Sequence, residues 1–460
     1  MKRLKDLKEK ISQKFGLRLN KNQFQEVERL IFEITRRESS SMNTILKSLE
    51  SIPKIDNLSL KNKFFSIKKS LLKTRFPQTS IHENLDNKKI FLNKLKPPLK
   101  KNYEIKQEFK PLKIFVEKTV SDSYLAKNFQ KQFPKIKIEE IENYKKYLKN
   151  NRFTISELKK PFVFIVEEKW DFIKPCPCTK HHLRCGYWIF NLGFGCPFDC
   201  SYCYLQQYTN APGIVLPANI EKFFTKFDKF HDTLKKPIRI GTGEFTDSLA
   251  LDNITEYSKI LIPYFQKKKV IFELKTKSSQ ISNILELKSS SNIVISWSLS
   301  PSEIIRTEEK GTASLNERLN SAKLVQQKGF NIAFHFDPII HTQDWEKSYK
   351  KVIDKLYSNV KPPFAWISLG TLRSSRELKS INEIRFPKSN IFYGELFLGQ
   401  DKKLRYPYFI RTRIYQKIVD YIKAYDQKTP VYLCMEDRET WKHVEGIVPF
   451  SDIEKGLVGE

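Results

Sequence analysis

Cys196-Pro-Phe-Asp-Cys200-Ser-Tyr-Cys203 sets three cysteines at C-x3-C-x2-C spacing, with an aromatic residue directly before the last. Three thiolates fall one short of the four ligands that a closed tetrahedral zinc site takes. A [4Fe–4S] cluster closed on every iron also takes four cysteines, so three leave one iron open to bind a small molecule and pass it an electron. Zinc is the competing reading, because Cys176, Cys178 and Cys185 stand just upstream, with His181 and His182 among them. Zinc ribbons usually pair their cysteines as C-x2-C twice, and this chain has one such pair, Cys200 and Cys203.

Working outward from that loop, short apolar runs alternate with stretches of helical periodicity. Upstream, Ile114–Val116, Ile136–Ile141 and Phe162–Val166 read as strands, with a helix over 122–133. Downstream, strands are expected at Tyr187–Asn191, Ile238–Gly241, Val270–Leu274, Ile293–Leu299, Ile332–Phe336 and Phe364–Leu369. Helices over 253–265, 313–328 and 345–358 fill gaps between them. Six β–α repeats predict a parallel sheet curled into an open barrel. Chemistry in such sheets sits at the carboxyl ends of the strands. Those ends carry Gly241-Thr-Gly-Glu244, Lys275-Thr-Lys277, Ser298, His335 with Asp337, and Ser368 to Gly370.

The flanks differ in texture. Residues 1–76 read as a basic helical region, with Phe24, Val27, Leu30, Ile31 and Ile34 at helical spacing, a break at Ser39-Ser40-Ser41 and a stop at Phe76-Pro77. Residues 77–111 are rich in Lys, Asn and Pro and read as a linker. A small α/β unit with a cysteine-containing connection follows over 112–185, the barrel over 186–375, and a helix and strand extension over 376–460.

The formal net charge is +30 on 460 residues. Residues 1–185 hold 43 Lys and Arg against 21 Asp and Glu, whereas the remaining 275 hold 39 against 31. A basic amino-terminal part suits a surface that follows phosphates. No apolar run approaches the ~20 residues of a membrane helix, and the start, Met1-Lys-Arg-Leu-Lys-Asp-Leu-Lys-Glu-Lys10, lacks the apolar middle of a signal peptide. Seven cysteines, six of them within 176–203, do not suit a secreted disulfide framework. The reading is a cytoplasmic protein with no membrane partner.

Several motifs together resemble the spore photoproduct lyase family of radical SAM proteins. They are Lys174-Pro-Cys-Pro, Cys185-Gly-Tyr, Gly195-Cys-Pro-Phe-Asp-Cys-Ser-Tyr-Cys-Tyr-Leu-Gln206, Gly241-Thr-Gly-Glu-Phe-Thr-Asp-Ser-Leu-Ala-Leu-Asp252, Phe334-His-Phe-Asp-Pro-Ile-Ile340 and Trp366-Ile-Ser-Leu-Gly370. The resemblance runs from Ile114 to Glu436 and leaves residues 1–110 unassigned. It implies an α/β fold: a partial (β/α)6 radical SAM barrel preceded by the small α/β unit and the basic helical region. It also implies lyase-type repair of a pyrimidine crosslink in DNA. A [4Fe–4S] cluster on Cys196, Cys200 and Cys203 would cleave S-adenosyl-L-methionine (SAM), with an electron donor such as flavodoxin or ferredoxin. Asp247, Lys277 and Ser298 match positions that contact SAM, and Tyr204 and Tyr202 match tyrosines of the hydrogen-return step.

One position departs from the family pattern. Where characterised lyases carry a hydrogen-donating cysteine after the second strand, this chain has Glu244. Gly243-Glu244 instead resembles the Gly-Gly-Glu element with which many radical SAM enzymes hold the amino group of SAM's methionine, through charge-assisted hydrogen bonds. Two alternatives follow: a radical SAM enzyme acting on RNA or a peptide, or a nonenzymatic zinc-bearing nucleic-acid binder. Cys434 is a candidate surrogate hydrogen donor, and Cys176, Cys178 and Cys185 are candidates for a second metal.

Overall fold

The computed structural model describes residues 2–52, 57–100, 102–105, 108–169, 171–179, 182–209, 212–449 and 452, with backbone alone for 2–6. His181, one of the zinc candidates, lies outside the described residues. The chain divides into two compact units.

The first unit comprises Met1–Pro98, Ile340–Gln343 and Leu372–Ile410. Its helices include Lys2–Phe15, Lys21–Glu38, Leu60–Arg75, Pro77–His82 and Arg376–Arg385. The serine break is real: Ser39 turns left-handed at φ +53°, and Ser41 caps the next helix through the Thr44 amide. Val27, Leu30, Ile34, Ile67 and Leu71 bury the shared faces of these helices, and Phe397 closes the same core. Inside lies Glu33, which accepts from Arg29 Nε at 2.8 Å, Arg75 Nε at 2.6 Å and Lys379 Nζ at 2.6 Å. Two expected boundaries therefore change. The stretch read as a linker begins with a helix whose Gln78 and Thr79 amides donate to Glu395 at 3.0 and 2.8 Å. The stretch read as one carboxy-terminal extension is divided, with 372–410 completing the amino-terminal helical core.

The second unit comprises Leu99–Ile339, Asp344–Thr371 and Arg411–Glu460 and holds two main sheets. The smaller is all parallel, in the order Ile138–Ile141, Lys113–Glu117, Phe162–Val166, Ile214–Pro217. Its last strand comes from beyond the cysteines, so the small α/β unit does not end at 185. The larger sheet has eight strands in the order Val431–Leu433, Ile367–Thr371, Asn331–Ile339, Ile293–Ser298, Val270–Thr276, Ile238–Gly241, Tyr187–Phe190, Ile173–Pro175. All neighbours are parallel except the last pair. The expected six strands are present, with Val431–Leu433 extending one edge and Ile173–Pro175 the other.

Period-two alternation sorts the strand residues by face. Ile293, Ile295 and Trp297 alternate with Val294, Ser296 and Ser298, and all six are buried. The polar set recurs on neighbouring strands as Arg239, Glu273, His335 and Ser368, so the inner face of the curled sheet is lined with polar groups. One expected helix is interrupted: 253–265 splits at Glu256, which takes φ +49°. Asp252 accounts for the break, because its carboxylate accepts from the amide and hydroxyl of Ser258 at 2.9 and 2.5 Å and so starts a second helix.

Candidate active site

The cysteine loop leaves the carboxyl end of Tyr187–Phe190 and packs on the edge of the smaller sheet. Phe194 and Val215 exchange backbone hydrogen bonds of 3.0 and 2.8 Å, and the Gly195 amide donates to Phe245 O at 3.0 Å. These contacts require glycine. A Cβ on Gly195 (φ +91°) would stand 2.3 Å from Gly213 O, and one on Gly193 (φ +153°) 2.6 Å from Val215 O. Further along, Cys200 pairs with Glu309 in a two-residue ladder, and Gln206 Nε2 donates to Cys200 O at 2.6 Å.

The donor set fits an iron–sulfur cluster. Burial raises the proton affinity of all three thiols, carrying Cys196 to about 12, and charge on Cys200 is opposed by charge on Cys203 and Cys196. Three thiols on one short loop are the ligands that would hold an iron–sulfur cluster with one iron left open. Among the described residues no three His, Cys, Asp or Glu side chains converge on one point as a single ion demands. A cubane's three thiolates sit on three different irons and need no common point.

The expected SAM residues surround the same loop but differ in what they hold. Glu244 Oε2 pairs with Lys174 Nζ at 3.4 Å, and burial raises the proton affinity of the carboxyl against the pull of Lys174. That oxygen is suited to accept from an incoming ammonium. Gly243 lets the chain pass Lys275, whose Cβ would stand 3.1 Å from an added Cβ. Asp247, expected to contact SAM, is committed within the chain. It accepts from the Leu249, Ala250 and Lys277 amides at 3.0, 2.9 and 2.7 Å and from Thr276 Oγ1 at 2.6 Å. It therefore shapes the loop that carries Glu244 and Lys277.

Lys277 donates to Tyr202 Oη at 2.9 Å and to Glu309 Oε1 at 2.8 Å. Glu309 also accepts from Arg318 Nη2 at 2.6 Å, Ser300 Oγ at 3.0 Å and the Tyr202 hydroxyl. Burial would raise the Glu309 carboxyl, but Lys277 and then Arg318 hold it well below the usual carboxylate range. Arg318 reaches Ser298 as well, donating to its carbonyl at 2.8 Å. Tyr202, named for hydrogen return, thus spends its hydroxyl on Glu309 and Lys277. Tyr204 opens the short helix after the loop, its ring 5.7 Å from that of Tyr208.

Deeper in the sheet, His335 Nε2 lies 2.7 Å from Glu273 Oε1, which also accepts from Ser296 Oγ at 2.6 Å. Burial would raise Glu273, but His335 and then Arg239 bring it down to about 2. Arg239 lies over Tyr187, Trp366 and Tyr432 at 5.1, 4.6 and 5.1 Å and donates to Cys185 Sγ at 3.3 Å. Cys176, Cys178 and Cys434 belong to the same neighbourhood, with Cys178 hydrogen bonded to Cys176.

Sequence reading missed Glu309, Arg318 and Arg239. Nothing local marks them, since a charged residue declares its role only once burial and partners are known. The antiparallel pairing of Glu309 with Cys200 is a long-range contact with no motif of its own.

The sequence model of the family described as Spore photoproduct lyase matches residues 178–420, more than half of the chain. Spore photoproduct lyase of Clostridium acetobutylicum is 23% identical over 256 residues, which cover 53% of this chain and 73% of that one. That of Bacillus subtilis is 26% identical over 233 residues, covering 48% and 66%. A solved spore photoproduct lyase complexed with dinucleoside spore photoproduct superimposes with a TM-score of 0.62 at 20% identity, covering 71% of this chain and 99% of that one. A double variant with bound AdoMet and dinucleoside spore photoproduct gives the same values. At that identity the solved structures speak for the fold, an open barrel as read above. With its cysteine loop and four more of the motif stretches inside the matched residues, the chain belongs to the spore photoproduct lyase family.

Proposed function

We propose that this chain is a radical SAM lyase that repairs a spore-photoproduct-type crosslink in DNA. The observation that carries the reading is the joint position of three thiols, Cys200 buried with Cys196 and Cys203 half-buried, and the Glu244 carboxylate paired with Lys174, on loops tied together by the Gly195 to Phe245 hydrogen bond. When bound, a reduced [4Fe–4S] cluster supplies the electron that splits SAM into methionine and a 5′-deoxyadenosyl radical. Cys196, Cys200 and Cys203 would hold the cluster. Glu244 would accept from the methionine ammonium, with Gly243 giving the close approach. Asp247 fixes that loop, Glu309 fixes Lys277, and Arg318 fixes the strand end at Ser298.

The relatives are named for a DNA lesion, and the first 185 residues carry the basic surplus that would meet phosphates. A crosslinked dinucleotide must leave the stack to reach a barrel, a step that damage makes less costly. An acceptor radical on the product needs a hydrogen atom, and Glu244 carries no S–H bond. Cys434, just past the Val431–Leu433 strand, is the thiol we assign to that role.

The test is an anaerobic reaction of reconstituted protein with SAM, dithionite and DNA containing spore photoproduct, following restored thymine by mass spectrometry. Thymine release in the wild type that disappears in Cys434→Ala, with SAM cleavage kept, supports both statements. A second reading rests on Glu244 itself: SAM cleavage without any loss of spore photoproduct would move the substrate to RNA or a peptide.

A further inference from the structure

Lys159 approaches the cysteine loop from outside it. It lies in the connection between the short helical turn Ile155–Glu157 and the strand Phe162–Val166 of the smaller sheet. Its Nζ donates to the carbonyls of Cys196 and Phe198 at 3.2 and 2.6 Å, and stands 3.9 Å from Asp199 Oδ1. The side chain is only 12% exposed. Two of the ammonium's three donors are thus spent on the backbone between the first and second cluster cysteines.

A neutral donor could brace those carbonyls, but the charge reaches further. An ammonium held on the carbonyls of Cys196 and Phe198 favours negative charge on the loop that it touches. Lys159 also lines a cavity of about 410 Å³ with Cys196, Phe198, Ser278 and Gly311, so the cation stands beside an opening toward the loop.

We propose that Lys159 sets the reduction potential of the cluster, by holding a fixed positive charge on the loop between its first two ligands. The inference rests on the cluster reading of Cys196, Cys200 and Cys203. One electron from an external reductant enters the oxidised cluster, and no bond forms or breaks. The reduced cluster carries one more negative charge than the oxidised one, and net charge nearby is among the factors that set cluster potentials. Lys159 is a positioning residue in this scheme: it acts through the loop and touches no substrate.

The experiment is a redox titration followed by electron paramagnetic resonance on anaerobically reconstituted full-length protein. Lys159→Gln keeps a donor for the carbonyls and removes the charge, Lys159→Met removes both, and Lys159→Arg keeps both. Each neutral variant should be about tenfold harder to reduce, a fall of ~59 mV for a one-electron couple, while Lys159→Arg titrates with the wild type. Either neutral variant that loads iron decides the matter. A loaded neutral variant at the wild-type potential overturns the proposal, as does an Arg variant that falls with them. A wild type that assembles no cluster at all overturns the cluster reading instead, so the two failures are distinct.

Discussion

Glu33 and Glu309 are two fully buried carboxylates ringed by cations, and they serve different ends. Glu33 binds Arg29, Arg75 and Lys379, all drawn from helices of the first unit. Glu309 binds Lys277 and Arg318, but also the hydroxyls of Tyr202 and Ser300, at the ends of the barrel strands. The first arrangement is closed on itself and fastens residues near 379 to the amino-terminal helices. The second holds Lys277, which sequence reading had placed against SAM, and Tyr202, which it had named for hydrogen return. A buried charge network of one kind holds a scaffold; the other holds side chains in place for chemistry.

Removing each carboxylate breaks the comparison most directly. Glu309→Ala leaves Lys277 and Arg318 uncompensated and should cost about 3–5 kcal/mol of stability. It should also reduce SAM cleavage by at least ~100-fold per folded molecule, since positioning losses reach that size. Glu33→Ala should cost a similar ~3–5 kcal/mol in denaturant melts. Its SAM cleavage per folded molecule should stay at the wild-type rate. Equal activity losses in the two variants would erase the distinction.

Acid sharpens it further. Glu33 and Glu309 are both held well below their unfolded values, and Glu273 is held at about 2. A depressed carboxylate adds stability above its unfolded pKa, about 4.3, and loses it as pH falls through the folded value. Stability should therefore drop below about pH 4, and Glu273→Gln should make that acid limb shallower at its lower end, near pH 2. An acid limb unchanged by Glu273→Gln would remove that residue from the account.

Smaller effects test single contacts. Tyr202→Phe deletes a hydroxyl bonded to Glu309 and Lys277 and should cost ~1–3 kcal/mol. If Tyr202 acts only as a brace, the ratio of thymine formed to SAM cleaved stays at the wild-type value in this variant. Last, Lys61, Lys69 and Lys73 are exposed on the Leu60–Arg75 helix, and replacing all three with Gln probes the phosphate reading. The slope of log affinity against log salt for DNA should fall by up to about three. An unchanged slope would take this helix out of the interface. Deleting the first 110 residues is a poorer test, because it strips the core that residues 372–410 complete.

Much of the barrel was legible because its strands are short Val- and Ile-rich runs buried on both faces, ending in polar residues. Ile293–Ser298 follows that rule closely. The cysteine loop was legible from spacing alone. What stayed hidden depends on contacts across long stretches of chain. Ile214–Pro217 reads as a strand only once Val215 is seen facing Phe164, and no local pattern says which sheet will take it. Likewise nothing in Arg376–Arg385 declares that Lys379 will meet Glu33. The break at Glu256 was missed because Asp252 looks like an ordinary helix residue until its carboxylate is seen capping Ser258.

The central claim is that the Cys196–Cys203 loop carries an open-iron cluster that cleaves SAM. Its most direct measurement is 5′-deoxyadenosine formation by anaerobically reconstituted wild type and by Cys200→Ala, alongside iron and sulfide content. The account predicts about four irons and four sulfides per wild-type chain, the composition of a [4Fe–4S] cluster, with 5′-deoxyadenosine formed on reduction. Cys200→Ala should lose both. Zinc without iron in the wild type, or deoxyadenosine from the cysteine variant at the wild-type rate, would contradict it.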